Sequence, residues 1–210
     1  MPGARGRDRA CAVGDRVFLR TPTAGDAAEF TSLMRRSRRL HHPWLQAPTT
    51  AAAYAAYLAR GRQRSRKLLL VCMLADGAIA GVINLNEIVR GRLQSAYLGY
   101  AAGVPFAGQG YMTEGLGLAL GHAFTRMGLH RLEANIQPEN RASIALARRL
   151  GFRLEGFSPR YLKLGGRWRD HQRWAIVREE WRAHRRAAPR AGSRPDRRGP
   201  PRTERGGAPA

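Results

Sequence analysis

The sequence has little cysteine, almost no lysine and no long apolar run. Two cysteines in 210 residues, Cys11 and Cys72, do not make a disulfide framework. The longest unbroken apolar stretch, residues 68–75, is eight residues, and about 20 are needed to cross a bilayer as a helix, so no transmembrane helix and no membrane partner are expected. Arg5, Arg7 and Arg9 imitate the basic start of a secretory signal, yet only Ala10–Val13 follows before Gly14 and Asp15, and the apolar stretch such a signal requires is missing. These absences predict a cytoplasmic protein. Acidic residues are also scarce: 15 carboxylates face 37 basic side chains, and lysine occurs only at Lys67 and Lys163.

The remaining basic residues are arginine, and the formal charge is +22. Eight arginines against Asp196 and Glu204 put +6 on residues 183–210, and residues 1–13 carry +2, which leaves +14 on the body between them. Such a body attracts polyanions, with ribosomal RNA rather than DNA the expected one; an arginine-rich composition without any such partner is the alternative.

Residues 1–13 and 183–210 are poor in aliphatics and rich in Gly, Pro and Arg, which predicts disordered, solvated basic tails around one domain at 14–182. Inside that domain strands and helices alternate. Val17–Arg20 reads as a short strand, 23–39 as a helix capped by Thr23, and 50–60 as a second helix. Residues 68–75 and 78–85 flank Asp76-Gly77, a dipeptide suited to a tight hairpin turn. A strand at 96–101, a helix at 113–127, the strand Arg131–Ile136 and a helix at 140–150 stopped by Gly151 follow, then a hairpin of 161–164 and 168–177 about Gly165-Gly166. The expected fold is a mixed α/β domain whose sheet is mostly antiparallel, flanked by helices, with one strand–helix–strand unit near the middle.

The sharpest local feature is Gly108-Gln109-Gly110-Tyr111-Met112-Thr113-Glu114 between a strand and a helix. Glycines let a backbone approach a ligand closely, and the free N–H groups and dipole of a helix N-terminus favour an anion such as a pyrophosphate. A Walker A loop is excluded because no Gly-Lys-Ser/Thr follows, and a dinucleotide fingerprint because Thr113 stands at the third glycine. His41, His42, His122 and His130 lack metal-ligand spacing and neither cysteine completes a zinc set, so no metal is expected. Gly-x-Ser-x-Gly is absent, which argues against a serine hydrolase built on Asp170 and His171.

Tyr97-Leu98-Gly99-Tyr100, the glycine turn, Asn140-Arg141-Ala142-Ser143, Leu150-Gly151-Phe152 and Glu155-Gly156 occur in an order and spacing that resembles the GNAT acyl-CoA-dependent acetyltransferases. Within them the chain is most similar to the RimJ/RimL group, which acetylates the N-terminal residue of ribosomal proteins; Asn84, Val89-Arg90-Gly91 and Trp168-Arg169-Asp170-His171 look RimJ-like. The resemblance implies acetyl-CoA as co-substrate, with its pyrophosphate on the main chain of Gly108, Gln109, Gly110, Tyr111 and Met112, its pantetheine arm beside Ala101 and Ala102, and Asn140 as an amide partner. It also implies a protein N-terminus, that of a ribosomal protein, as acceptor. The tyrosine that serves many members as acid falls on Ala147, which cannot donate; Ser143 matches the serine that serves RimL-type enzymes, its alternative being a cap for the helix it begins. The glutamate that acts as base in RimL-type enzymes falls on Leu162, leaving Glu87 as the nearest candidate, against the alternative of an exposed strand-end charge.

The scarcity of a base bears on the acceptor. An α-amine of pKa about 7.8 is roughly a quarter neutral near pH 7.4, whereas a lysine near 10.4 is neutral about one part in a thousand, a difference of roughly 3 kcal/mol. A site without a firm base suits a protein N-terminus. The alternatives are a ribosome-associated assembly or RNA-binding factor whose acetylation is secondary, and a small-amine or antibiotic acetyltransferase, which would want a carboxylate-lined groove.

Overall fold

The computed structural model describes residues 6–187. In chain order the elements are β1 (Ala10–Val13), β2 (Val17–Arg20), α1 (Ala27–Arg36), α2 (Arg38–His41), α3 (Ala51–Arg60), β3 (Lys67–Met73), β4 (Ile79–Val89), β5 (Ser95–Ala102), α4 (Tyr111–Thr125), β6 (Arg131–Ile136), α5 (Arg141–Arg149), β7 (Arg153–Leu164), β8 (Arg167–Val177) and α6 (Arg178–Ala187). They build one eight-stranded sheet in the order β1-β2-β3-β4-β5-β6-β8-β7. Every neighbouring pair is antiparallel except β5 and β6, which are joined through α4 and run parallel. This is the expected mostly antiparallel sheet, with its one parallel pair near the centre; a second strand–helix–strand crossover, from β6 through α5 to β7, leaves β8 between them. Among the described residues no helix is long and apolar enough to cross a membrane.

Both faces of the sheet are covered. On one, Leu116, Ala119, Leu120, Ala123 and Phe124 of α4 pack on Ile83, Leu85 and Leu98; on the other, Phe30, Leu33 and Met34 of α1 with Tyr54 and Tyr57 of α3 pack on Phe18, Leu70 and Val82. That double cover explains why residues 68–72 of β3 form an unbroken apolar run rather than an alternating one.

Several boundaries depart from the sequence expectation. The segment 1–13 was expected to be a tail, but Ala10–Val13 pairs with β2 as an edge strand, and Cys11 and Ala12 pack against the α4-side core. Four residues with no large aliphatic except Val13 carry no periodic signal; the open edge of β2 is what orders them. The expected helix 23–39 is a 3₁₀ turn at Ala24–Asp26 followed by α1 and α2. Its start is tightened by Asp26, which accepts from the Thr23 N–H at 2.7 Å, and the break falls at Ser37, whose hydroxyl donates to the Leu33 carbonyl (2.7 Å) and accepts from the Val104 N–H (2.9 Å). β7 begins at Arg153 rather than 161, because an exposed, bulged edge strand has little apolar alternation to read. The domain does not stop at 182: α6 continues to Ala187, held by buried Trp181 against Phe124 with ring centroids 5.4 Å apart. The rest of the expected C-terminal tail, 188–210, and residues 1–5 lie outside the described residues.

Candidate functional site

The sheet opens at its centre. β5 and β6 pair only through Ser95–Tyr97 and Arg131–Glu133; beyond that β5 runs on to Ala102 beside β4, and β6 to Ile136 beside β8, without pairing each other. The edge of β5 from Leu98 to Ala102 therefore faces a gap with its peptide groups open to an extended ligand. A cleft of about 460 Å³ occupies that gap, walled by His41, Trp44 and Leu45 on one side and by Ala142, Ser143 and Leu146 of α5 on the other.

At one end of the cleft lies the glycine turn. Gly108 (φ 76°) and Gly110 (φ 83°) both take the left-handed conformation that glycine adopts cheaply. Gly110 caps α4, and the first intrahelical bond runs from the Glu114 N–H to its carbonyl at 3.1 Å. Among the described residues no acceptor takes the backbone N–H groups of Gly108 through Thr113. Six consecutive bare donors at the positive end of a 15-residue helix form a cup for an anion. The turn is braced from behind. Arg16 donates to the Gln109 carbonyl (3.1 Å), lies 4.7 Å over the Tyr111 ring and pairs with Glu114 (3.1 Å), whose other oxygen accepts from the Arg16 and Val17 N–H groups.

Of the sequence-predicted coenzyme residues, Ala101, Ala102, Gly108, Gly110, Met112, Asn140 and Ser143 all line this one cleft. Gln109 and Tyr111 are not among its lining residues: the Gln109 side chain donates to the Pro105 carbonyl (2.7 Å) and Tyr111 packs under Arg16. α5 also separates its two arginines: Arg149 reaches the Thr113 hydroxyl at the cleft mouth (3.4 Å), while Arg148 turns over the Trp174 ring at 5.2 Å.

Asn140 caps α5, its Oδ1 accepting from the Ser143 N–H at 3.1 Å. That cap aims the Ser143 hydroxyl into the gap, 2.7 Å from the Tyr100 hydroxyl. Burial pushes the Tyr100 phenol above its ordinary pKa, against the pull of the Ser143 bond, so it stays protonated at neutral pH. Sequence reasoning quoted Tyr100 in a motif but assigned it nothing. The signal lay in strand parity: opposite Ile83, Tyr100 must face the α4–α5 side of the sheet. His41 was also missed. Its Nε2 donates to the Ala102 carbonyl at 2.8 Å and pins the end of β5 to α2.

Glu87 is not brought to this place. It sits at a bulge in β4 with φ 47°, exposed and ion-paired to Arg66 at 3.3 Å, outside the cleft lining. His171 is buried, and burial lowers its pKa against the pull of its bond to the Arg169 carbonyl (3.0 Å), so it is neutral and structural. Trp168 is 59% exposed and lines a separate hollow of about 390 Å³ with Trp44 and Asp170.

An acetyltransferase (GNAT) domain family matches residues 16–153, well over half of the chain. The chain belongs to the GNAT acetyltransferases. Two curated relatives match about half of the chain. The Escherichia coli (strain K12) [ribosomal protein uS5]-alanine N-acetyltransferase is 40% identical over 103 residues, 49% of this chain and 53% of its own length. YjcK of Bacillus subtilis (strain 168), named a probable N-acetyltransferase, is 38% identical over 103 residues, 49% of this chain and 57% of its own. The matches thus span little more than half of these relatives. Among solved structures, Mycobacterium smegmatis RimJ in complex with CoA-disulfide superposes with a TM-score of 0.72 at 31% identity, covering 78% of this chain and 83% of that one. The central split of the sheet and the glycine turn at its mouth both lie within the matched residues.

Proposed function

We propose that the chain is an acetyl-CoA-dependent Nα-acetyltransferase whose acceptor is a protein N-terminus, that of a ribosomal protein, in the cytoplasm. The observation that carries this reading is the continuity of the anion cup at Gly108–Thr113, the open edge of β5 and the Tyr100–Ser143 pair along one cleft. A relative named [ribosomal protein uS5]-alanine N-acetyltransferase and a structural neighbour in complex with CoA-disulfide support it.

The residues present fit a coenzyme of that shape. Bare N–H groups and Arg149 suit the phosphates, and the unpaired β5 edge at Ala101 and Ala102 suits an amide-bearing arm; acetyl-CoA supplies there an activated acetyl thioester. The chain's own part is to orient and to move protons. Ser143, held by the Asn140 cap, is placed to give its proton to a departing thiolate, and the Tyr100 hydroxyl, 2.7 Å away, holds the serine rotor in one arrangement. Open β5 N–H groups are placed to polarise the acyl oxygen.

Among the described residues no carboxylate lines the cleft. An amine that is already about a quarter neutral needs little help in losing its proton to water, whereas a lysine would need roughly 4 kcal/mol. This favours an N-terminal acceptor over a lysine side chain. The high positive charge favours work near ribosomal RNA as a secondary property. Incubation with labelled acetyl-CoA and dissociated ribosomal proteins, followed by mass spectrometry, should place one acetyl group on an N-terminal residue. Label confined to lysines, or no coenzyme binding by calorimetry, would overturn the reading.

A further inference from the structure

A larger hollow, of about 630 Å³, adjoins the cleft on the other side of β5. It lies over β4 and β5 beneath α1 and α3, and the two spaces share Leu45, Tyr100 and Ala101. An amine entering from this side reaches the reacting end of the cleft where those residues meet.

The chemistry of its walls is one-sided. Among the described residues its charged lining groups are Arg60, at the end of α3, and Arg66, just before β3, and no carboxylate lines it. Arg66 donates one nitrogen to the Asn86 side chain at 3.1 Å and another to exposed Glu87 at 3.3 Å. Arg60 makes no ion pair among the described residues. The other polar groups are neutral, notably Tyr57, whose hydroxyl donates to Asn84 Oδ1 at 2.6 Å. A polyamine would carry its second ammonium towards two guanidinium groups, and the carboxylate at that end, Glu87, is outside the lining and already paired with Arg66.

Strand register sets the length. Ala101 lies opposite Val82, and Asn86, which holds Arg66, is four residues further along β4. At roughly 3.3 Å per residue the arginine end is about 13 Å from the amine end. An extended peptide covers that distance with about four residues.

We propose that this groove selects N-termini bearing Asp or Glu at the third or fourth position, with Arg60 and Arg66 receiving the carboxylate. The inference rests on the Nα-acetyltransferase reading and adds the acceptor class to it. A guanidinium with free N–H groups is the side chain best matched to a carboxylate in a partly enclosed groove. A third hollow, with Trp44, Trp168, Glu139, Arg169 and Asp170, also touches the cleft, but it shares only Trp44 with it and would favour a basic peptide.

The test is a set of hexapeptides identical except for Glu, Gln or Lys at positions three and four, with kcat/KM measured for the full chain. The Glu peptide should exceed the Gln peptide about tenfold, with Lys lowest. In the Arg60→Gln/Arg66→Gln variant the Glu-to-Gln ratio should fall towards one; being a ratio within one preparation, it does not depend on how much variant folds. Equal values for Glu and Gln in the unaltered chain, or a preference for Lys, would overturn the selectivity. Failure to turn over any of the peptides despite coenzyme binding would instead overturn the N-terminal acceptor reading beneath it.

Discussion

Ser143 is held at two points, by its N–H on Asn140 and its hydroxyl on Tyr100. Ser143→Ala keeps the cap, since Asn140 bonds the backbone, and should lower kcat about 100-fold with acetyl-CoA affinity little changed. That is the low end of a general acid's contribution, because a thiol of pKa about 8.5 is an undemanding leaving group. Steady-state kinetics with calorimetry separates the two effects, and an unchanged kcat would leave Ser143 as a cap alone. At the end of β2, Arg20 forms a buried two-pronged pair with Asp26 at 2.8 and 2.6 Å. Burial alone would raise the Asp26 carboxyl, but the Arg20 bonds, helped by Thr23, outweigh it and hold the carboxyl below its ordinary range. Asp26→Ala strands a buried guanidinium and should cost about 3–5 kcal/mol near neutral pH. Because the native pKa is depressed, the pair's contribution is complete above the unfolded value near 4 and is lost as pH falls through the native one. Thermal melts from pH 7 to pH 3 should show the wild type and variant converging.

The turn from β5 into α4 works as one element. Its bare donors exist because Gly110 ends the approach in the left-handed region, and a Cβ there would also meet the Arg16 guanidinium at 3.2 Å. Valine at φ 83° is strained beyond the roughly 1–2 kcal/mol an ordinary residue loses there. The strain is local, and the Arg16–Glu114 brace and the α4 core remain. Gly110→Val should therefore fold, by circular dichroism, and lose acetyl-CoA binding in calorimetry; retained affinity would remove the turn from the coenzyme site.

The net charge of +22 belongs to the whole chain. Binding to a ribosomal RNA fragment should be sequence-blind and salt-sensitive. With six to ten phosphate contacts, affinity falls about 10³–10⁵-fold between 50 and 200 mM salt. Fluorescence anisotropy at the two concentrations measures this, while acetyl-CoA binding, confined to one cup, should persist. Sequence-specific RNA binding that survives 200 mM salt would favour the assembly-factor reading.

Strand and helix identities in the body, the parallel crossover at α4 and the glycine turn were legible in the sequence, because each is written in local periodicity or in a glycine whose backbone angle few other residues accept. Asn140 and Ser143 were legible through a helix cap and a family resemblance. β1 and α6 were not: an edge strand and a basic helix held by one tryptophan gain their order from partners far along the chain. Nor was the fate of Glu87, since a bulge in β4 turns it outward to Arg66. By itself the sequence determined most elements of the body and the position of the glycine turn. Only the tertiary structure decided where β5 parts from β6, that Tyr100 meets Ser143 across 43 residues, and that two arginines rather than carboxylates line the groove behind them. Periodicity records which face of an element is buried, whereas a site is a convergence of faces, and convergence is fixed by strand pairing and packing over the whole sheet.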